Sequence, residues 1–129
     1  MSNVTSAVDS AYAPLSPVAR IFVAIAVFLL SGACEIGGGW LVWQTVRNGR
    51  PWWWALIGSL IMVAYGFVAA SNPIADFGRV YAAYGGVFIL LAFTWAHFMD
   101  GFVLDAGDIL GLLLALAGVV VIISWRRPV

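Results

Sequence analysis

Four long runs of apolar residues, separated by short polar breaks, constrain the possible folds of this chain more than any other feature. The hydrocarbon core of a bilayer is about 30 Å thick, so a helix that crosses it needs about 20 apolar residues. Runs close to this length lie at residues 21–43, 52–70, 80–98 and 109–125. Because lipid offers the backbone no hydrogen-bond partner, each run is predicted to be a transmembrane helix. The sequence therefore predicts an all-α fold, a bundle of four transmembrane helices.

The composition favours the membrane class and excludes several others. Charged residues make up 9% of the 129 residues and hydrophobic residues 64%, whereas soluble domains carry about 25% charged residues. Six arginines balance six acidic residues, so no basic surface is available for nucleic acid. The single cysteine, Cys34, excludes an internal disulfide, and the chain has no metal-ligand cluster and no cofactor motif. A nucleophile–base pair is also lacking, so we do not expect an enzyme.

The residues before the first run differ from the rest of the chain. Residues 1–19 are polar, hold two prolines and carry little charge. This composition predicts a disordered tail, followed by a membrane domain at residues 20–127. A signal peptide is the competing interpretation, because Arg20, the apolar run and the sequence "SGAC" resemble a lipoprotein cleavage site. The apolar run continues past that point to Trp43, which favours a retained helix.

The arginines in the polar breaks bear on topology. Four spans place both termini on one side of the membrane. That side carries four arginines, and the other side carries two: Arg20, Arg79, Arg126 and Arg127 against Arg47 and Arg50. Cytoplasmic loops carry the excess of Lys and Arg, so this tally predicts cytoplasmic termini in a bacterial inner membrane. So small a bias also permits insertion in both orientations, and with it an antiparallel homodimer.

An acidic residue, Glu35, lies inside the first run, in the sequence "LLSGACEIGGGW". A charge at mid-membrane costs roughly 2.5–3.5 kcal/mol on insertion scales. The residues that share its helix face, three and four positions away, are small: Ser31, Gly32, Gly38 and Gly39. Small residues let another helix approach closely or leave space around the carboxylate. A carboxylate there can bind a proton or a cation, but not both at once. This competition is what a proton-coupled exporter requires. The alternative interpretation is that Glu35 stays protonated and hydrogen-bonds another helix.

The third run opens with the sequence "GRVYAAYGGVF". Tyr81, Tyr84 and Phe88 are spaced to share one helix face. Gly85 and Gly86 can relax or kink the helix at that point. Aromatic ring faces attract lipophilic cations, so Tyr81 and Tyr84 are candidate substrate-binding residues; the alternative is that these rings face lipid or pack against other helices.

The fourth run contains no acidic residue, but it carries a stripe of small residues. Gly111, Ala115 and Gly118 follow one another at four and then three positions and share a face. Because lipid gives apolar helices no hydrophobic drive to associate, close backbone packing is what holds them together. We therefore expect these three residues to form a dimer interface.

The sequences "ACEIGG" and "GRVYAAYGGV", and "DG" at 100–101, resemble the YnfA family of small four-helix inner-membrane proteins over about residues 21–127. A wider resemblance is to the small multidrug resistance transporters. "CEIGG" is similar to their first-helix glutamate stretch and puts Glu35 on the glutamate. "YAAYGGVF" puts Tyr81, Tyr84 and Gly86 on their third-helix tyrosine, tryptophan and first kink glycine, with Phe88 where the second glycine would be. "GLLLALAGV" resembles their dimer motif.

This wider resemblance implies an antiparallel homodimer in which two Glu35 carboxylates share one substrate chamber. It also implies an exchange of protons against small cationic or polyaromatic compounds. We therefore expect a proton-coupled exporter of small cationic, lipophilic compounds. Two alternatives remain from the residues alone: a non-transporting membrane subunit or scaffold, and a passive small-ion channel.

Overall fold

The structure is a computed structural model that describes residues 2–74 and 76–125. These residues form helices and, within those ranges, no strand. In chain order the helices are α1 Ser2–Tyr12, α2 Pro17–Asn48, α3 Trp52–Ala70, α4 Phe77–Asp100 and α5 Ala106–Ser124. The four helices α2 to α5 are long and apolar enough to cross a membrane. The prediction of an all-α fold with four transmembrane helices is therefore confirmed.

Helix caps, and not the edges of the apolar runs, set the ends of α2. Its first helical residue is Pro17, and the Ser16 hydroxyl before it accepts a hydrogen bond from the Ala19 N–H at 3.2 Å. Proline suits the first helical position because its missing N–H would have no partner there. At the other end, Gly49 adopts a left-handed φ of 65°, a conformation that favours glycine. As a result, α2 extends beyond the predicted span 21–43 at both ends.

Caps also set the ends of α4 and α5, whereas the start of α3 has no side-chain cap. α3 coincides with the predicted span 52–70, whereas α4 is longer than 80–98 and stops at Gly101, where φ is 68°. Two acids cap the start of α5: Asp105, just before the helix, and Asp108, in its first turn. The Asp105 carboxylate accepts from the Asp108 N–H at 2.8 Å, and the Asp108 carboxylate accepts from the Asp105 N–H at 3.0 Å. These two acids therefore cap a helix, and Trp125 lies just outside it.

The residues before the first span differ from the disordered tail predicted for residues 1–19. The structure places α1 there, and α2 begins at Pro17. An 11-residue helix is marginal by itself in water, so it needs a tertiary contact. The Tyr12 hydroxyl donates to the Ser71 carbonyl at 2.8 Å, which ties the end of α1 to the end of α3. Composition alone does not reveal this contact, because the two residues are 59 positions apart.

Helices α1 to α3 form one compact unit, in which α2 and α3 cross at a pair of glycines. A Cβ built on Gly38 would lie 2.7 Å from the Gly58 carbonyl oxygen, and a Cβ built on Gly58 would lie 2.5 Å from the Gly38 carbonyl oxygen. The two backbones are therefore in contact, as small residues permit in a membrane. Asn72 adds a polar tie, since its buried side chain donates to the Ala24 carbonyl at 3.5 Å.

Helices α4 and α5 form the second compact unit. The two helices pack closely at Gly86, because a Cβ built there would overlap the Val119 side chain. Arg79 adds a polar contact, since its guanidinium donates to the carbonyls of Ile122 at 3.2 Å and Trp125 at 2.7 Å. The last carbonyls of a helix have no partner within it, so Arg79 satisfies the end of α5 from the start of α4.

The arginines after the first span contact tryptophan rings. The Arg47 guanidinium lies 4.9 Å from the Trp43 ring centre, and that of Arg50 lies 5.2 Å from the Trp54 ring centre. Such cation–π pairs suit a membrane interface, where tryptophan is enriched. Two of the four arginines assigned to the side of the termini, Arg126 and Arg127, lie outside the described residues. The orientation of the termini therefore stays a prediction.

The glycine crossing generates a first prediction. We expect Gly58→Val to lower the free energy of unfolding by about 1–3 kcal/mol, the usual cost of overpacking, because backbone at Gly38 cannot move aside. Gly66→Val is the matched control: it changes the same residue type in the same helix, at a position where a built Cβ meets nothing within 4 Å. Thermal unfolding in detergent measures both. Equal effects of the two substitutions would contradict the crossing.

Candidate functional site

The buried residues of α2 form one stripe along the helix. Ala24, Phe28, Ser31 and Gly38 are buried and follow a spacing of four, three and seven residues. Glu35 occupies the missing step of this series, four residues after Ser31 and three before Gly38, and it is half-buried. Positions spaced by three and four residues share a face of a helix. Glu35 therefore lies on the buried face of α2.

Glu35 also lies deep within the span. At 1.5 Å per residue it is roughly 21 Å along the axis from Ile21 and about 12 Å from Trp43, the ends of the apolar run. A glutamate side chain is too short to bring its carboxylate to either end of that run. Facing a protected environment is the remaining way to accommodate an ionisable group at such a depth. That Glu35 faces a protein or water cavity stays a prediction.

The small residues around Glu35 differ in what they contact. Gly38 is used by the crossing with Gly58 of α3, whereas a Cβ built on Gly39 would meet nothing within 4 Å. Ser31 and Gly32 are buried one turn before the acid. Of the two possibilities that the sequence left open, close approach of a helix is thus realised at Gly38. The sequence analysis did not single out Gly58 as a contact residue. Its position as a glycine in the middle of an apolar span was the signal that could have indicated the contact.

The aromatic residues of α4 lie against one another as their spacing predicts. Ring centres are 4.5 Å apart for Phe77 and Tyr81, 6.5 Å for Tyr81 and Tyr84, and 5.9 Å for Tyr84 and Phe88. Tyr84 is 7% exposed, whereas Tyr81 is 38% exposed. The four rings therefore form a continuous ladder along one side of the helix, with Tyr81 the more accessible of the two candidate tyrosines.

The paired glycines of α4 have unequal surroundings. A Cβ on Gly85 would meet nothing within 4 Å, whereas one on Gly86 would overlap Val119 and lie 3.4 Å from the Ala115 carbonyl oxygen. The helix runs without a break from Phe77 to Asp100. Gly86 thus has a packing role that its sequence did not reveal, and the predicted flexibility of the pair stays a prediction.

The three small residues of the α5 stripe also differ in their surroundings. Gly111 and Gly118 are exposed, and a Cβ built on either would meet nothing within 4 Å. Ala115 is half-buried and presents its carbonyl to Gly86. The two glycines therefore lie on a face that α4 does not occupy, while Ala115 borders the contact with α4.

The described residues contain no group of three or more His, Cys, Asp or Glu side chains that could hold a metal ion. Glu35 is the acid within the span, and Cys34 beside it is half-buried and not in a disulfide. Neighbours in a helix point about 100° apart, because there are 3.6 residues per turn. Cys34 and Glu35 therefore point in different directions, and a carboxylate such as that of Glu35 can bind a proton or a cation.

Four apolar helices with an acid on the buried face of the first define a multi-pass helical membrane protein. The sequence model of the "Uncharacterised BCR, YnfA/UPF0060 family" matches residues 21–128. The chain belongs to this family, as its sequence motifs predicted. The match leaves out α1 and the start of α2.

Relatives from several bacteria match nearly their whole length. The chain is 52% identical over 103 residues to a UPF0060 membrane protein of an Arthrobacter species, covering 80% of this chain and 92% of the relative. It is 48% identical over 100 residues to one of a Synechocystis species (78% and 92%) and 49% identical over 103 residues to one of Mycobacterium bovis (80% and 94%). No solved structure matches the chain. The chain is accordingly a multi-pass bacterial membrane protein.

The contact at Gly86 generates a second prediction. We expect Gly86→Ala to lower the thermal midpoint in detergent, because its new methyl group needs the space of Val119, whereas Gly85→Ala raises it or leaves it unchanged. Adding Val119→Ala to Gly86→Ala should recover most of the loss, since contacting residues show coupled effects. Independent effects of the two substitutions would contradict the packing role.

Proposed function

We propose that this protein is a proton-coupled exporter of small lipophilic cations, in which Glu35 binds the proton and the cation in turn. One observation carries the proposal: Glu35 lies at mid-depth in a membrane-spanning helix and in register with its buried face. Ionisable residues within a membrane span are costly and rare, and they mark ion and substrate pathways. The resemblance of "CEIGG" to the glutamate stretch of small multidrug resistance transporters supports the same assignment.

The proposed cycle follows from the chemistry of one carboxylate. Ionised, it attracts a cation; protonated, it has no charge with which to hold one. Protons that arrive from the side of higher proton concentration therefore displace the cation. With two Glu35 carboxylates in a homodimer, two protons displace one cation, because both carboxylates must be neutralised.

Aromatic and glycine residues of α4 complete the proposal. Tyr81 and Tyr84 bind the cation through their ring faces, an interaction of about 0.5–2 kcal/mol. The ring ladder along α4 supports this part, because it gathers several aromatic rings along one side of the helix. Gly85 and Gly86 give the helix the flexibility that alternating access requires.

A homodimer in the bilayer, with antiparallel subunits, is the proposed working unit. The α5 residues Gly111, Ala115 and Gly118 supply its interface. The exposed faces of the two glycines support this, because they leave a second backbone room to approach. A monomeric mass for the detergent-solubilised protein would contradict it.

Two other functions compete with an exporter. A non-transporting subunit or scaffold would copurify with a larger complex and would release no protons on addition of a cation. A passive small-ion channel would conduct ions without any coupling to protons. The position of Glu35 favours the exporter over the scaffold, because helix docking alone does not need a carboxylate at mid-membrane.

The proposal predicts the effect of removing the charge at position 35. In proteoliposomes with an acidic interior, we expect the wild type to accumulate ethidium and Glu35→Gln to accumulate none above empty vesicles. The amide keeps the shape of the side chain but cannot exchange a proton. Asp9→Asn is the control, because it makes the same change at an exposed acid of α1, and it should leave uptake unchanged. Gradient-driven uptake by a folded Glu35→Gln protein would rule the mechanism out.

A further inference from the structure

Ser31 carries a buried hydroxyl that the rest of the described chain does not satisfy. The residue is 0% exposed, and its Oγ has no hydrogen-bond partner among the protein atoms described. Buried polar groups in proteins almost always have a partner, and one that lacks it calls for an explanation. Such a hydroxyl is available to a group that the described residues do not supply.

Other hydroxyls in the membrane helices show what Ser31 does differently. Three of them donate to the carbonyl four residues earlier in the same helix: Thr45 to Leu41 at 3.1 Å, Ser59 to Ala55 at 2.8 Å, and Thr94 to Leu90 at 2.8 Å. This internal bond is the usual way for a serine or threonine to be satisfied inside a helix. Ser31 does not make this internal hydrogen bond, and it lies one turn before Glu35.

The helix places Ser31 one turn before Glu35, on the same face of α2. Residues four apart in a helix have Cβ atoms about 5–6 Å from each other. A single nitrogen that carries several N–H groups can therefore donate to a Glu35 oxygen and to the Ser31 oxygen at the same time. Glu35 keeps some exposed surface in the structure, so a cation that reaches it comes within one turn of Ser31.

We propose that the Ser31 hydroxyl oxygen binds the cation together with Glu35 and selects cations that carry N–H donors. This inference rests on the proposed function, because it assumes that Glu35 holds a cation. A protonated amine gives the hydroxyl the partner it lacks, whereas a quaternary ammonium group leaves it unpaired. Sites built to hydrogen-bond a substrate N–H discriminate strongly against an analogue that lacks it.

The test compares two cations of the same skeleton, benzylammonium and benzyltrimethylammonium. Their dissociation constants are measured by calorimetry on the full chain in detergent, for the wild type, Ser31→Ala and Ser59→Ala. We expect the ratio that favours benzylammonium to fall about tenfold in Ser31→Ala, the range of a hydrogen bond to a charged group. Affinity for benzyltrimethylammonium should not change. Ser59→Ala, which removes an internally bonded hydroxyl, should leave both dissociation constants as they are.

Protein stability gives a second readout that does not depend on a ligand. Because the Ser31 hydroxyl has no hydrogen-bond partner among the described residues, Ser31→Ala should leave the thermal midpoint unchanged or raise it. A lowered midpoint would show that the hydroxyl has a structural partner and would overturn the proposal.

The outcomes separate this inference from the proposed function. If both cations bind the wild type but not Glu35→Gln, and Ser31→Ala leaves their ratio unchanged, the role of Ser31 is overturned and the exporter stands. If neither cation binds the wild type, both are overturned.

Discussion

Lipid supplies neither a hydrogen bond nor a counter-ion, and the structure of this protein follows from that constraint. The backbone must satisfy itself, so α2 to α5 are continuous helices, and Ser16, Asp76 and Asp105 cap the starts of α2, α4 and α5. A polar side chain in a span must face protein, and Glu35 accordingly lies in the series of buried residues on α2. The same constraint that determines the fold thus determines where the acid in the middle of α2 can face.

Packing without a hydrophobic drive explains why glycine recurs at the helix contacts. In the first unit Gly38 meets Gly58, and in the second Gly86 meets Val119. Each contact lets backbone approach backbone or a branched side chain, which is how helices gain van der Waals energy in lipid. Gly38, one turn after Glu35, is therefore part of the fold as well as part of the site. The effect of a substitution there on stability must be measured before its effect on transport is interpreted.

Much of the fold could be predicted from the sequence, because apolar runs in a membrane have a single structural solution. The span 52–70 coincides with α3, while α2 and α4 extend further because capping residues, and not hydropathy, end a helix. Long-range contacts could not be predicted in this way. The tie from Tyr12 to Ser71 and the unsatisfied Ser31 hydroxyl depend on tertiary geometry, which the spacing of residues along one helix does not contain.

The central claim is that one carboxylate per chain exchanges a proton for a cation. Proton release measures it most directly, when an organic cation is added to the weakly buffered, detergent-solubilised protein. The account predicts that the wild type releases protons in a saturable way, up to one per chain, and that Glu35→Gln releases none. Equal release by both proteins, or none by a wild type that binds the cation, would contradict it.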